Sequence, residues 1–199
     1  MPLLTLGAVR QTLRSSNGFT MVDMVIAVTL IATISAIAIP ALKDFGDAVA
    51  IGEAARAVQT ELQQARMKAV ATNRIMRVRF NCPAPRQFRT LELIGTPTIP
   101  AAQDTAGNRC DNTVYPYPAA DNNAVTLPNL DGPVRRIDPR VSFGATQTIE
   151  FRPTGVAYSV NANGTSTTTL PANGVGITVT KGNNVKTITV NSLGKISTQ

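Results

Sequence analysis

The chain has 199 residues, 43% of them hydrophobic, which suits one globular domain with an accessory segment. Its formal net charge of +7 is compatible with contact to nucleic acid or anionic lipid but is specific to neither. The sequence contains no histidine, which excludes Ser-His-Asp and Cys-His nucleophile systems and removes the commonest metal ligand. It also lacks P-loop, G-x-S-x-G, C-x-x-C and metal-spaced motifs, so it predicts a protein without enzymatic activity, cofactor or metal site.

An apolar run from Phe19 to Leu42 dominates the N-terminal region. It holds about 24 residues, more than the roughly 20 that a helix needs to cross a hydrocarbon core of ~30 Å. Asp23 is its only ionisable side chain. Arg10 and Arg14 precede the run without an acid, so the positive-inside rule predicts a cytoplasmic N-terminus and export of the chain that follows.

A cleavable secretory signal is the alternative explanation of this run. Its apolar region would be Met24 to Ile34, followed by a small-residue site at Ala36-Ile37-Ala38. Such a signal usually has only about 7–15 apolar residues, and an acid weakens it. A carboxylate in lipid costs about 2.5–3.5 kcal/mol on insertion scales, so Asp23 is expected to be functional and to have a partner.

The residues at the start of the run carry a resemblance to a known family. Gly18-Phe19-Thr20, the acid at Asp23 and an apolar helix with Pro40 resemble the class III leader and N-terminal helix of type IV pilins and type II secretion pseudopilins. The resemblance implies that residues 1–18 are a leader, removed by a prepilin peptidase that cuts between Gly18 and Phe19. It also implies N-methylation of Phe19, the new N-terminal residue.

The same resemblance makes Asp23 an assembly contact. After cleavage, Phe19 would carry a free amino group at a helix N-terminus, where the helix dipole adds positive charge. The carboxylate can neutralise that charge in its own subunit or in a neighbour. The family normally has glutamate at this position, and the shorter aspartate suggests a specialised, low-copy subunit.

The helix is expected to continue beyond Pro40, with a kink there, because membrane helices tolerate proline. The prediction is one helix from Phe19 to about Ala71, with a transmembrane half at 19–42 and an amphipathic half at 43–72. Polar Glu53, Arg56, Gln59 and Gln63 lie off the apolar face. That face is a stripe of residues at spacings of three and four: Ile51, Ala55, Val58, Leu62, Ala65 and Ala69.

Residues 73–199 are predicted to form an exported β-rich domain. Met76, Val78 and Phe80 alternate with Arg77 and Arg79, which is typical of a half-buried strand. Further β-rich runs are QFRTLELI, TIEFRPTGVAYSV, GVGITVTKGNNVKTITV and LGKIST, with a hairpin connection at KGNN. This order predicts an α+β fold, in which a long N-terminal helix packs its apolar stripe against an antiparallel sheet.

The order of helix, strands and a terminal Ser-Leu-Gly-Lys-Ile segment resembles H-type minor pseudopilins and FimT/FimU-like minor pilins. In some of these proteins a C-terminal Gly-Arg-x-Arg sequence binds DNA during uptake. The matching residues, Gly194-Lys195-Ile196-Ser197, keep one cation and lack the guanidinium fork that gives bidentate phosphate contact. DNA binding through this element is therefore disfavoured, although Lys195 stays a candidate contact.

A basic stripe near the helix end and the first strands would favour DNA through counterion release. Arg74, Arg77 and Arg79 are the candidate DNA contacts within it. The alternative is a solvated face, or a face that contacts acidic neighbour subunits. The whole stripe comprises Arg66, Lys68, Arg74, Arg77, Arg79, Arg86 and Arg89.

Residues 95–140 are rich in Pro, Asn and Asp and are predicted to be a long loop, either functional or disordered. Cys82 and Cys110 are expected to pair in an exported domain, which would stabilise it by about 3–4 kcal/mol by closing a loop of roughly 29 residues. Two unpaired buried thiols are the alternative. Tyr115 and Tyr117 either contact a partner protein or are ordinary residues of an extended loop.

Two further polar features are not expected to form binding sites. The loop acids lack calcium-binding spacing and are predicted to be solvated. Residues 161–173 are predicted to be a flexible connection. The acids concerned are Asp104, Asp111, Asp121 and Asp131.

We therefore interpret the chain as a minor pilin or pseudopilin, a non-enzymatic subunit that primes or caps a filament. The alternative is a membrane-anchored module that binds DNA or a secreted substrate. The expected location is the inner membrane, with a single pass and a periplasmic domain, and then the pilus or pseudopilus. The expected partners are other pilins or pseudopilins, the prepilin peptidase, the inner-membrane assembly platform and membrane lipid. A retractable pilus and a secretion pseudopilus remain open alternatives.

Overall fold

A computed structural model describes residues 18–93, 109–118, 130–144, 146–161 and 167–199. The proposed leader before Gly18 lies outside these residues, as do Asp104, Asp121 and much of the 95–140 loop. The chain divides into two compact units, with the boundary between Lys43 and Asp44.

One long helix, α1 (Met21–Thr72), opens the described chain and runs through Pro40 without a break. It ends where Asn73 adopts a positive φ of 54° and the Arg74 N–H donates to the Ala69 carbonyl at 3.3 Å. A left-handed asparagine after the last turn is a common helix stop, because the reversed backbone satisfies carbonyls that the helix leaves free. The predicted helix from Phe19 to about Ala71 is confirmed within two residues at each end.

The half of α1 in the second unit buries one face. All six residues of the predicted apolar stripe are buried, together with Ala50, Ala54 and the unexpected acid Glu61. Five of the buried side chains are alanines, and such small residues let a sheet approach the helix axis closely. The stripe therefore packs into the core as predicted.

The strands form two antiparallel sheets. Six strands follow the order β3-β2-β1-β5-β6-β7, and four follow the order β10-β9-β8-β4. The predicted α+β fold is confirmed, with the strands divided between two sheets. Their bounds are β1 (Met76–Phe80), β2 (Gln87–Glu92), β3 (Arg135–Arg136), β4 (Ser142–Phe143), β5 (Thr148–Phe151), β6 (Ala157–Val160), β7 (Thr167–Thr169), β8 (Val175–Lys181), β9 (Asn184–Val190) and β10 (Ile196–Thr198).

Two segments expected to lack regular structure contain short strands. β3 lies within residues 95–140 and pairs with β2, and β7 lies within residues 161–173 and pairs with β6. Strands of two or three residues leave no alternating pattern in the sequence, because their order comes from backbone hydrogen bonds to a longer neighbour. The hairpin predicted at KGNN is present, with Lys181 paired to Asn184 and a positive φ of 56° at Gly182.

The larger of two apolar clusters among the described residues joins α1 to both sheets, and the smaller one consists of Cys82, Leu91 and Cys110. Val58 and Leu62 from the helix, Val78 and Ile149 from the larger sheet, and Ile188 from the smaller sheet are fully buried in the larger cluster. The core thus fixes the orientation of the second half of α1 against the strands.

Candidate assembly site

Thr20 and Asp23 cap the start of α1. The Thr20 hydroxyl donates to Asp23 Oδ2 at 2.7 Å, and the Thr20 N–H donates to the same oxygen at 3.1 Å. In return, the Asp23 N–H donates to Thr20 Oγ1 at 3.2 Å. This reciprocal arrangement is a capping box, with aspartate where glutamate or glutamine is usual. Asp23 therefore satisfies a backbone N–H at the start of its own helix, a role that the sequence analysis missed although the Thr-x-x-Asp spacing carries the signal.

The peptide bond between Gly18 and Phe19 is sterically accessible within the part of the chain that the structure describes. Phe19 is 84% exposed, and a Cβ added at Gly18 would meet nothing within 4 Å. A requirement for glycine at this position would therefore have to come from the enzyme that cuts the bond.

The side chains that follow are apolar and exposed. Between Met21 and Leu42 all residues except Ala27, Ser35 and Ala38 are exposed. The most apolar window has a mean hydropathy of 2.4 and none of it is buried, so α1 is long and apolar enough to cross a membrane. A helix of a soluble core would bury these side chains, whereas a lipid-facing helix or a signal sequence would not.

The hydroxyl groups of Thr29 and Thr33 in this segment are satisfied within the helix itself. Thr29 Oγ1 donates to the Val25 and Ile26 carbonyls at 3.0 and 2.8 Å, and Thr33 Oγ1 donates to the Thr29 and Leu30 carbonyls at 3.0 and 2.9 Å. Such internal bonds suit a bilayer, because hydrocarbon offers polar groups no other partner.

The proposed basic stripe does not form one solvated face among the described residues. The Arg77 side chain is only 6% exposed, and its Nε and Nη2 each lie 2.9 Å from Glu150 Oε2. The two residues are directly opposite on β1 and β5, and Arg152 Nε donates to the other Glu150 oxygen at 3.2 Å. Arg77 thus has a buried structural role, which corrects its assignment as a candidate DNA contact.

Arg89, on β2, is also fully buried and is therefore not part of a solvated basic face. Its guanidinium donates to the carbonyls of Gly132, Cys110 and Tyr115 at 2.7, 3.1 and 2.7 Å. Burial lowers the pKa of this group below its ordinary value, and the nearby Asp131 carboxylate opposes that effect. Arg89 therefore serves as an anchor for the loop segments that cover the outer face of β2.

A second buried arginine and the disulfide complete this anchor. Arg109 donates to the Glu92 carbonyl at 2.8 Å, forms a short ion pair with Asp131, and lies 4.5 Å from the Tyr115 ring centroid. The predicted Cys82–Cys110 disulfide is present, with 5.6 Å between the two Cα atoms. Tyr115 is thus held as a packing residue, whereas Tyr117 is 48% exposed.

The remaining candidate DNA contacts are not gathered in one place by the described contacts. The Arg74 side chain is half-exposed and lies 3.6 Å from Glu92. Arg79 is partly buried on β1. Lys195 is exposed beside the turn before β10, and its backbone N–H donates to Asn191 Oδ1 at 2.8 Å.

The loop acids that the structure describes have structural partners. Asp111 accepts hydrogen bonds from the backbone and hydroxyl of Thr113, which lower its pKa. Asp131 is buried and paired to Arg109, contrary to the expectation that it is solvated. Among the described residues, no group of three or more His, Cys, Asp or Glu side chains could hold a metal ion.

A comparison with protein families gives one match. The family described as Type II transport protein GspH matches residues 54–194, well over half of the chain. No curated protein and no solved structure matches the chain significantly. The matched range begins in the buried half of α1 and ends at Gly194, so it covers most of the helix–sheet core described above. The chain therefore belongs to the GspH family, whose members are minor pseudopilins of type II secretion.

Proposed function

We propose that this chain is a processed minor pseudopilin that primes or caps the pseudopilus of a type II secretion system. In this proposal residues 1–18 are removed by prepilin peptidase, and Phe19 becomes the N-methylated first residue. Residues 19–42 hold the protein in the inner membrane, with the N-terminus cytoplasmic and residues 73–199 periplasmic. The protein acts through assembly with other pseudopilins and the inner-membrane platform, and it carries no catalytic activity.

The observation that carries this proposal is the Thr20–Asp23 capping box at the head of an exposed apolar helix. Cleavage after Gly18 would leave the Phe19 amine next to this box. The carboxylate would then face a positive charge as well as the positive end of the helix dipole. Neutralising both charges lowers the cost of drawing the helix N-terminus into a bundle within the bilayer.

The filament role also explains why α1 continues through Pro40. Proline removes one intrahelical hydrogen bond, so a kink at this residue would let the membrane half adjust while the core-packed half stays fixed. Neighbouring helices can then pack along the exposed apolar side chains of residues 19–42. The membrane half is thus suited to mediate assembly.

Processing is tested by N-terminal sequencing of the protein extracted from membranes of cells that contain the prepilin peptidase. We expect the mature chain to begin at Phe19, and we expect Gly18→Trp to accumulate unprocessed. A mature protein that begins beyond Ala38 would identify a secretory signal instead and would contradict the proposal.

Two substitutions at Asp23 separate the charge from the cap. Asp23→Asn keeps a side-chain oxygen for the Thr20–Asp23 box but removes the negative charge, and Asp23→Glu keeps the charge. We expect both variants to be cleaved normally, with incorporation into sheared pseudopili lost for asparagine and retained for glutamate. Normal incorporation of Asp23→Asn would show that neutralisation of the amine is not needed.

The alternative function, a membrane-anchored module for DNA or a secreted substrate, has less support. Arg77 and Arg89 are buried, so the cation density that counterion release needs is reduced. Gel-shift titration of the purified chain with duplex DNA at low salt tests this alternative. Salt-sensitive binding that is lost in Lys195→Ala would favour it.

A further inference from the structure

A groove lies between α1 and the turn that joins β9 to β10. Its volume is about 460 Å³, and it lies within the second compact unit. Gln63, Arg66 and Met67 form the helix side, and residues 193–196 form the turn side. The groove is separate from the membrane segment, so the assembly role of residues 19–42 leaves it unexplained.

The turn side of the groove is held in a fixed shape. Gly194 has a φ of 72°, and a Cβ there would lie 2.4 Å from the Gly155 carbonyl oxygen and 2.7 Å from Arg66 Nε. Only glycine therefore allows this approach. Arg66 donates to the carbonyls of Gly155 and Leu193 at 3.2 and 3.1 Å and so ties two turns to the helix. The groove is thus preorganised, which reduces the entropy that a ligand must lose on binding.

Large apolar side chains surround the groove and stay in solvent. Met67 is 64% exposed and Leu193 is 72% exposed, and Val70 lies one turn further along the same helix with 53% exposure. Val70 also lies close to Gly155, since a Cβ added there would be 3.7 Å from a Val70 methyl carbon. Exposed methionine and leucine beside a concave site are typical of protein–protein contacts, because methionine adapts its shape to a partner.

The charge of the groove is positive. Arg66 and Lys195 line it, and no acid is among its lining residues. Arg66 uses Nε and Nη2 for the two turns, and its Nη1 donors have no partner among the described contacts. The Lys195 ammonium likewise has no ion pair within the described part of the chain. The lining therefore combines apolar contact with two cationic groups.

We propose that this groove binds an acidic, partly apolar segment of a neighbouring pseudopilin. The proposal rests on the proposed function, which brings such neighbours into contact with the periplasmic part of the chain. An apolar side chain of the segment would lie between Met67 and Leu193, while a carboxylate meets Lys195 and the outer edge of Arg66. Duplex DNA fits the groove less well. Its affinity comes from contacts between many cations and the phosphates, and it would make no specific contact with the exposed methionine and leucine.

Site-specific photo-crosslinking tests this proposal in membranes. A benzoyl-phenylalanine is placed at Leu193 of the full chain, which is produced together with the other pseudopilins of its secretion system. We expect a covalent adduct with one of these pseudopilins, and we expect the cross-linked peptide to contain Asp or Glu. Lys195→Glu in the same chain should lower the adduct yield about tenfold, because like charges would then meet.

Lys186→Glu is the matched control. It makes the same change in net charge at another exposed lysine, on β9, and it leaves the groove unaltered. We expect the adduct yield of this variant to equal that of the parent. Equal losses of adduct yield in both variants would show that net charge alone causes the effect, which would overturn the proposal.

The remaining outcomes separate this inference from the proposed function. A chain that begins at Phe19 and enters pseudopili, but whose adduct is unaffected by Lys195→Glu, would overturn the groove proposal alone. A chain that is not cleaved after Gly18 and never enters pseudopili would overturn the proposed function. Loss of duplex DNA binding in Lys195→Glu with an unchanged adduct would assign the groove to nucleic acid and would also overturn the proposal.

Discussion

The two halves of α1 use similar apolar residues in opposite ways. From Met21 to Leu42 nearly every side chain is exposed, whereas from Ala50 to Ala69 one face is buried against the strands. The exposed half carries bulky Ile, Val, Leu and Met, and the buried face is mostly alanine. One helix therefore meets two environments, and the size of its apolar residues differs between them.

The two regions also differ in how they satisfy charge. In the exposed half of α1, Asp23 is the only acid before Leu42 and its partner, Thr20, is three residues away. In the domain, the partners of buried charges are far apart in the sequence, as for Arg77 and Glu150. A helix in lipid must satisfy its polar groups locally, while a folded domain can bring distant partners together. The following experiments substitute residues in the folded domain or in the exposed half of α1.

The largest effect is expected when a buried charge loses its partner. Glu150→Ala removes the carboxylate that pairs with buried Arg77, which should destabilise the domain by about 3–5 kcal/mol. Urea-dependent pulse proteolysis of the detergent-solubilised chain measures this loss. The double variant Arg77→Met, Glu150→Leu should recover most of it, because both buried charges are removed together and Arg152, the other partner of Glu150, is partly exposed.

An exposed ion pair provides the control for this experiment. Asp138 accepts from Arg140 at the surface, and these hydrogen bonds lower the Asp138 pKa to about 2. Despite that shift, Asp138→Ala should leave the urea midpoint nearly unchanged, because solvent screens an exposed pair. A loss of stability as large as that of Glu150→Ala would show that burial does not determine how much stability an ion pair contributes.

The next effect compares equivalent truncations in the two halves of α1. Leu62 is fully buried, and Leu62→Ala should cost about 2–5 kcal/mol through lost burial and the cavity left behind. Ile31 is 64% exposed, and Ile31→Ala should leave the stability of the domain unchanged. The same pulse proteolysis measures both variants. Equal losses would contradict the division of the helix into a core-packed half and an exposed half.

Removal of the disulfide should have a somewhat smaller effect. Replacing Cys82 and Cys110 together by serine opens a loop with a sequence separation of 28 residues, which should cost about 2–4 kcal/mol. Hydrogen exchange should rise most in residues 109–118, because the disulfide ties Cys110 in this segment to Cys82. Unchanged exchange in this segment would show that the buried arginines hold it without the disulfide.

The sequence predicts the features that repeat at short range. The spacing from Ile51 to Ala69 predicts the buried stripe, and the alternation from Met76 to Phe80 predicts β1. The sequence wrongly predicted that Arg77 is a solvent-exposed cation. Alternation identifies the two faces of a strand, but it does not show whether the second face is covered. Arg77 meets Glu150 on β5, which is 73 residues away in the chain, so no local pattern reveals this partner.

The candidate sites show the same limit. Gly18, Phe19 and Asp23 lie within six residues of one another, so a local motif is enough to propose them, and their roles stay predictions. The groove needs Arg66 on α1 next to Gly155 and Leu193, which are separated from it by 89 and 127 residues. Only the fold brings these residues together, and Arg66 alone looked like one member of a surface stripe.

The smallest effect concerns the local cap at the start of α1. Thr20→Ala removes one side of the Thr20–Asp23 box and should destabilise the first turn of α1 by about 0.5–2 kcal/mol. Amide hydrogen exchange of residues 21–24 in detergent micelles should therefore accelerate, by up to roughly thirtyfold at the upper limit. Thr29→Ala is the matched control, since it removes a hydroxyl from the same half of the helix without touching the cap. If both variants exchange alike, the box does not hold the N-terminus, and Asp23 is left with its charge as its only contribution.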